Sequence, residues 1–169
     1  MKTFVTALFT GLLITSVASA QTPAAPAPLS GFYVGTSVNL SGTDLSESRD
    51  TAVSLTAGYS VTRNIAVEAT LAHAFDNGSR AGGQTGFVNV VAGMPVGPIT
   101  PYVLAGAGVG VNGAGDSDKG MEGLWNVGAG ASYNVTRNWQ LDARYRYVDA
   151  ISATREAEHV VSLGVNYKF

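Results

Sequence analysis

From Gly31 to the C-terminus, apolar side chains alternate with small or polar ones in segments about ten residues long. No window repeats its apolar positions at the three-to-four spacing of an amphipathic helix. The alternation predicts eight strands, at 31–40, 51–61, 65–75, 86–96, 100–111, 123–135, 139–148 and 158–169. Strands of this length exceed the ~5–6 residues common in soluble sheets and match the ~9–11 that a tilted strand needs to cross a bilayer. Three connections are tight turns, Thr62-Arg63-Asn64, Gly97-Pro98-Ile99 and Thr136-Arg137-Asn138. The other four are longer polar loops, Ser41 to Asp50, Asp76 to Gln84, Asn112 to Glu122 and Asp149 to Ala157. Short turns at one rim and long loops at the other predict an all-β fold, an eight-stranded antiparallel up-and-down transmembrane β-barrel. The hexapeptide Tyr59-Ser60-Val61-Thr62-Arg63-Asn64 returns 74 residues later as Tyr133-Asn134-Val135-Thr136-Arg137-Asn138, which suits a ring built of two similar halves.

The two faces of these strands differ in kind. One face carries 42 positions, among them Val34, Leu55, Leu71, Val88, Ala107, Val127, Leu141 and Leu163, and only Thr36, His73 and His159 are neither apolar nor aromatic. None of the 42 is charged. The other face is mostly Gly, Ser, Thr, Asn and Gln, with five charges: Glu68, Asp142, Arg144, Arg146 and Lys168. A soluble barrel would show water a face rich in long Lys and Glu side chains. Small polar residues suit instead a lumen that eight strands leave only just wide enough for side chains to fill. A charge against lipid costs roughly 2–4 kcal/mol at the midplane, so the uncharged face is the one that meets acyl chains. Tyr59, Tyr133, Trp139 and Tyr167 fall beside the short turns, and Phe75, Trp125, Tyr145 and Tyr147 beside the long loops, as two interfacial aromatic belts would. Tyr33, Phe87, Tyr102 and Leu104 face inward in this register, where they either plug the lumen or mark a one-residue slip.

Composition narrows the reading further. Charged residues make up 13% of the 169, about half of the ~25% usual in soluble domains. The formal charge of -2 offers no basic face for nucleic acid, and the absence of cysteine removes disulfides, thiolate metal sites and cysteine nucleophiles. Residues 1–20 read as a secretory signal: Lys2, then the apolar run Phe4 to Val17, then the small-residue site Ala18-Ser19-Ala20. That run is too short to span a bilayer as a helix. Residues 21–30, with Pro23, Pro26 and Pro28, read as an extended periplasmic leader, and the barrel occupies 31–169.

The chain resembles the small eight-stranded outer-membrane barrels, the OmpA-type transmembrane domain with its OmpX, Ail and opacity-protein relatives. The resemblance rests on Gly31-Phe32-Tyr33-Val34-Gly35 in the first strand, Pro101-Tyr102-Val103 with Gly106 and Gly108 in the fifth, and Asp142-Ala143-Arg144-Tyr145-Arg146-Tyr147 in the seventh. It extends to the ending, where Leu163, Val165, Tyr167 and Phe169 resemble the signal read by the barrel-assembly machinery. What it implies is an outer-membrane location, outer-membrane lipid and that machinery as partners, and no cofactor.

Four constellations bear on function. Glu68, Asp142, Arg144 and Arg146 form an inward ion cluster, with strands three and seven opposite each other, so Glu68 can meet Arg144 or Arg146 across the lumen. Such a cluster serves either charge compensation or an ion gate. His73 and His159 lie near the long-loop rim, but no His-Ser-acid spacing accompanies Ser152 or Ser162, so no catalytic residue is assigned. The string from Gly108 to Gly113 lacks the following helix of a dinucleotide site, and Asp116 to Gly120 lacks the further acidic ligands of a calcium loop, so no metal site is assigned. The four long loops sum to about six negative charges and are candidates for a surface ligand. The expected role is structural or surface-exposed, in envelope integrity or adhesion, without catalysis. A narrow ion-conducting pore, a lipid-modifying enzyme and a secreted ligand-binding barrel are the alternatives.

Overall fold

A computed structural model describes residues 31–42, 50–75, 83–112, 121–152 and 157–169. Residues 1–30, read above as signal and leader, most of the long loops and the Asp116 to Gly120 stretch lie outside the described residues. Eight strands follow one another in the chain: β1 Phe32–Gly42, β2 Asp50–Ser60, β3 Ile65–Ala74, β4 Gly83–Gly93, β5 Ile99–Asn112, β6 Met121–Asn134, β7 Trp139–Ala150 and β8 Glu158–Lys168. Each pairs antiparallel with its chain neighbours, and β1 closes the ring on β8, from Tyr33 opposite Lys168 to Gly42 opposite His159. Closure leaves no edge strand, so every backbone donor in the wall has a partner without water.

Burial runs opposite to that of a water-soluble protein. Leu71 is 68% exposed, Leu163 66% and Leu55 62%, whereas Asn89 and Asn126 are 0% and 1% exposed. The alternation places valine, leucine and alanine on the outer wall and glycine, hydroxyl and amide side chains in the centre. No slip occurs at the inward aromatics, because Tyr33, Phe87, Tyr102 and Leu104 are all buried in the lumen.

Close packing of that lumen follows from register. Each inward ring sits opposite a glycine on the next strand: Tyr33 opposite Gly58, Phe87 opposite Gly108 and Tyr102 opposite Gly130. A Cβ at any of the three would fall within the neighbouring ring. Large side chains therefore lie across flat backbone, which is how so narrow a barrel accommodates three aromatics.

The repeated hexapeptide builds one turn twice. Thr62 Oγ1 accepts from the backbone N–H of Asn64 and Ile65 at 3.2 and 3.0 Å, and Thr136 Oγ1 from Asn138 and Trp139 at 3.3 and 3.0 Å. Asn64 Nδ2 then donates to the Gly93 carbonyl and Asn138 Nδ2 to the Lys168 carbonyl, both at 2.8 Å, tying each turn to the next strand but one. The third turn differs. Gly97 has φ of 62°, which an L side chain adopts only with strain, and Val96 and Ile99 exchange hydrogen bonds of 2.7 and 3.2 Å around it. The regular strand β4 ends at Gly93, three residues earlier than the alternation predicts, and the pairing is carried on to the turn by the Met94 N–H to Pro101 bond and the Val96–Ile99 bridge on either side of Pro95.

Candidate functional site

The lumen holds the densest chemistry among the described residues, and β3 and β7 supply it from opposite walls. Arg144 on β7 reaches Glu68 on β3 through two parallel hydrogen bonds, Nη1 to Oε2 at 2.7 Å and Nη2 to Oε1 at 3.1 Å. Their side chains are 9% and 4% exposed. Each remaining polar atom of the pair is held by another wall: the Tyr33 hydroxyl donates to Glu68 Oε1 at 2.8 Å, and Arg144 Nε donates to the Tyr102 hydroxyl at 2.9 Å. Tyr102 in turn donates to Asp142 Oδ2 at 2.7 Å, and Asp142 Oδ1 lies 3.4 Å from Arg144 Nε. The Arg144 guanidinium carbon also sits 5.3 Å from the centre of the Tyr102 ring. Strands β1, β3, β5 and β7 thus join through one connected layer, and a two-pronged guanidinium-carboxylate pair fixes its geometry more tightly than a lysine could.

Arg146, two residues along the same face, stands outside this layer. It is 5% exposed, its Nε has no hydrogen-bond partner, and its guanidinium lies 5.9 Å from the centre of the Phe87 ring. Phe87 belongs to an apolar cluster with Leu124, Val148, Ala150 and Val160. This cluster packs in the lumen on the long-loop side of the charged layer, from β4, β6, β7 and β8. A cavity of about 20 Å³, room for roughly one or two waters, is lined by Ser37, Ser54, Thr56, Thr70 and Ser162 together with Asp142, Arg144 and Arg146. On the short-turn side the charged layer forms the floor of a vestibule of about 230 Å³, lined also by Arg63, Asn64, Gln140, Asn166 and Lys168.

The histidines lie on the outer wall. His159 Nδ1 is 2.6 Å from the Tyr145 hydroxyl, and the ring is flanked by Tyr145 and Tyr147. Ser162 is buried in the lumen, on the opposite face of β8 from His159, and Ser152 donates to Glu122 Oε1 at 3.4 Å. No His-Ser-acid arrangement forms among the described residues. His73 packs edge-on against Phe75. At the short-turn end, Phe32 meets Tyr59, Trp139 meets Tyr167 and Tyr167 meets Phe169 at ring separations of 4.8 to 5.1 Å; Tyr133 is exposed beside them. At the long-loop end Trp125 meets Tyr147 at 5.7 Å. Leu163 and Val165 face outward on β8, and the Phe169 N–H donates to the Phe32 carbonyl at 3.0 Å.

A family model for the outer membrane protein beta-barrel domain matches residues 10–169. The chain belongs to that family. Within the outer-membrane barrels, a 31 kDa outer-membrane immunogenic protein of Brucella melitensis is 39% identical over 64 residues, 31% of this chain and 26% of the relative. The chain therefore matches about a quarter of that relative's length. The crystal structure of Neisserial surface protein A superposes with a TM-score of 0.63 at 19% identity, covering 83% of this chain and 97% of the other. The outer membrane enzyme PagL superposes with a TM-score of 0.55 at 13% identity, covering 81% and 99%. Likeness at these identities shows a shared fold, and one fold that carries both a surface protein and an enzyme leaves the role to the site. This protein is thus an eight-stranded barrel of the cell outer membrane, with its apolar wall against lipid.

Sequence reasoning missed Tyr33 and Tyr102 as members of the charged layer. The signal was present in their inward parity beside Glu68 and Asp142, but their hydroxyls meet those carboxylates only once the ring is closed. It also missed the Tyr145–His159 pair, which depends on the β7–β8 register.

Proposed function

We propose that this outer-membrane barrel is a sealed, non-catalytic scaffold, with its termini on the periplasmic side and its four acidic loops outside, contributing to envelope integrity or to contact with other surfaces. The observation that carries this reading is how the lumen is filled. A layer of Glu68, Arg144, Asp142, Tyr33 and Tyr102 joins β1, β3, β5 and β7, and an apolar cluster of Phe87, Leu124, Val148 and Val160 packs beyond it from β4, β6, β7 and β8. Burying charges is costly unless they are paired, so compensation accounts for the three charges of Glu68, Arg144 and Asp142 without a transport role. The name of the Brucella relative, an outer-membrane immunogenic protein, is consistent with exposure of such a barrel to the exterior.

Two aromatic belts, Tyr59, Tyr133, Trp139 and Tyr167 at one rim and Phe75, Trp125, Tyr145 and Tyr147 at the other, set the depth of the barrel in the bilayer. Leu163, Val165, Tyr167 and Phe169 serve as the signal for the assembly machinery. The acidic loops are the surface offered to an external ligand. A pore reading draws support from the vestibule and the smaller cavity, which border the same Asp142, Arg144 and Asn166 from the two sides of the charged layer. An enzyme reading finds no serine beside His159.

The test joins two measurements. Protease added to intact cells should cut the long loops and spare the short turns, and the purified protein in a planar bilayer should conduct no measurable current. Steady single-channel current from the wild type would overturn the sealed-scaffold reading.

A further inference from the structure

The outer wall of the barrel is apolar except at isolated positions, and one of these is built rather than tolerated. His159 on β8 lies directly opposite Tyr147 on β7. Its ring stacks on Tyr145 at 6.0 Å and 24°, meets Tyr147 edge-on at 5.5 Å, and Tyr147 continues to Trp125 at 5.7 Å. The four rings form a continuous ladder across β6, β7 and β8 at the long-loop end of the wall. His73, the other outward imidazole, has one aromatic neighbour and no such hydroxyl partner.

We propose that this ladder binds the phosphorylated sugar headgroup of an outer-leaflet lipid, with His159 as the phosphate contact. The inference rests on the orientation proposed above, which puts the long-loop end at the outer leaflet. An imidazole facing hydrocarbon would leave polar nitrogens unsatisfied at high cost, so the ring belongs at headgroup depth. The 2.6 Å contact with Tyr145 occupies Nδ1. With the phenol hydroxyl donating to Nδ1, the neutral ring carries its proton on Nε2. In that tautomer Nε2–H is a donor without a protein acceptor among the described residues. The acceptor available at that depth is a lipid phosphate oxygen. The flanking faces of Tyr147 and Trp125 suit a sugar ring, whose C–H face packs on aromatic carbon while its hydroxyls remain in the wet headgroup layer.

The experiment uses the full protein purified from the outer membrane and placed in phosphatidylcholine nanodiscs. Trp139→Phe is introduced throughout so that fluorescence reports Trp125 alone. Three ligands are titrated: bisphosphorylated lipid A, the same lipid stripped of phosphate, and inorganic phosphate. The phosphorylated lipid should shift Trp125 emission in a saturable way, and the other two should not. His159→Phe keeps the ring and removes the donor; it should raise the half-saturating lipid fraction about tenfold, the loss expected for one hydrogen bond to a charged group. Tyr145→Phe leaves the wall intact, frees the imidazole to turn, and should weaken binding in the same direction. Its result decides the matter if His159→Phe fails to give the compact cold-detergent band of a folded barrel.

Equal titration of wild type and both variants overturns the proposal. So does an equal response to the phosphate-free lipid, which means acyl packing, or to inorganic phosphate, which means a free-ion site. Conductance of the wild type would sink the sealed-scaffold reading and leave this one standing.

Discussion

Glu68 and Arg144, on opposite walls of the barrel and 76 residues apart in the chain, are joined by two hydrogen bonds across the lumen. Arg144 also has Asp142 on its own strand at 3.4 Å, whereas Arg144 is the cation paired with Glu68. Arg144→Met leaves Glu68 buried and unpaired and should destabilise the folded barrel by about 3–5 kcal/mol, and Glu68→Gln, which leaves Arg144 with Asp142, should destabilise it less. The double variant should recover most of that loss. Urea unfolding of refolded protein in lipid vesicles, followed by tryptophan emission, measures the cycle. Additive losses in the double variant would mean that the two residues do not act as a pair.

The strands and their two faces were legible in the alternation alone, because period two is a local property of each segment and the outer wall tolerates no charge. Boundaries were less so at β4, where Met94 and Val96 continue the apolar rhythm past Gly93 as an isolated bridge and a single ladder bond rather than as regular strand. Glu68 and Arg144 could be set opposite each other from strand count. What the chain did not reveal was which groups complete them. Tyr33, Tyr102 and the glycines facing them are related only through register between strands, a non-local quantity that no single segment encodes. Arg146 shares the parity of Arg144, yet its neighbour is Phe87 rather than a carboxylate, a difference of side-chain direction that periodicity cannot resolve.

The glycine opposite each inward ring gives a second expected outcome. Gly58→Ala places a methyl group inside the space of the Tyr33 ring, and Gly130→Ala does the same to Tyr102. Overpacking of this kind costs about 1–3 kcal/mol. Tyr33→Ala should relieve the loss in Gly58→Ala but not in Gly130→Ala. Midpoints of thermal unfolding, read on heat-modifiability gels, distinguish the pairings.

The two fillings of the lumen make a prediction about current. Glu68→Gln loosens the charged layer but leaves the apolar cluster of Phe87 and Leu124 in place, and apolar packing in a narrow pore opposes ion passage by excluding water. That variant should therefore stay silent in planar bilayers, as should Phe87→Ser with Leu124→Ser on its own. Combining all three should give small, steady channels. Conductance from Glu68→Gln alone would show that the charged layer is the sole barrier.

Adjacent residues on β8 test the orientation on which everything else depends. Leu163 is 66% exposed on the outer wall, and Ser162 is 3% exposed in the lumen with its hydroxyl unpartnered. If lipid lies outside, Leu163→Arg drives a charge into hydrocarbon and should cost about 2–4 kcal/mol. Ser162→Ala removes a buried hydroxyl that has no protein partner among the described residues, so it should be neutral or slightly stabilising, since an unsatisfied buried polar group carries a penalty of about 1–3 kcal/mol. A barrel in water would respond in the opposite order, because an arginine on its solvent face would be harmless. Unfolding free energies of the two variants in vesicles, set beside each other, decide between these environments through a difference in sign rather than in size.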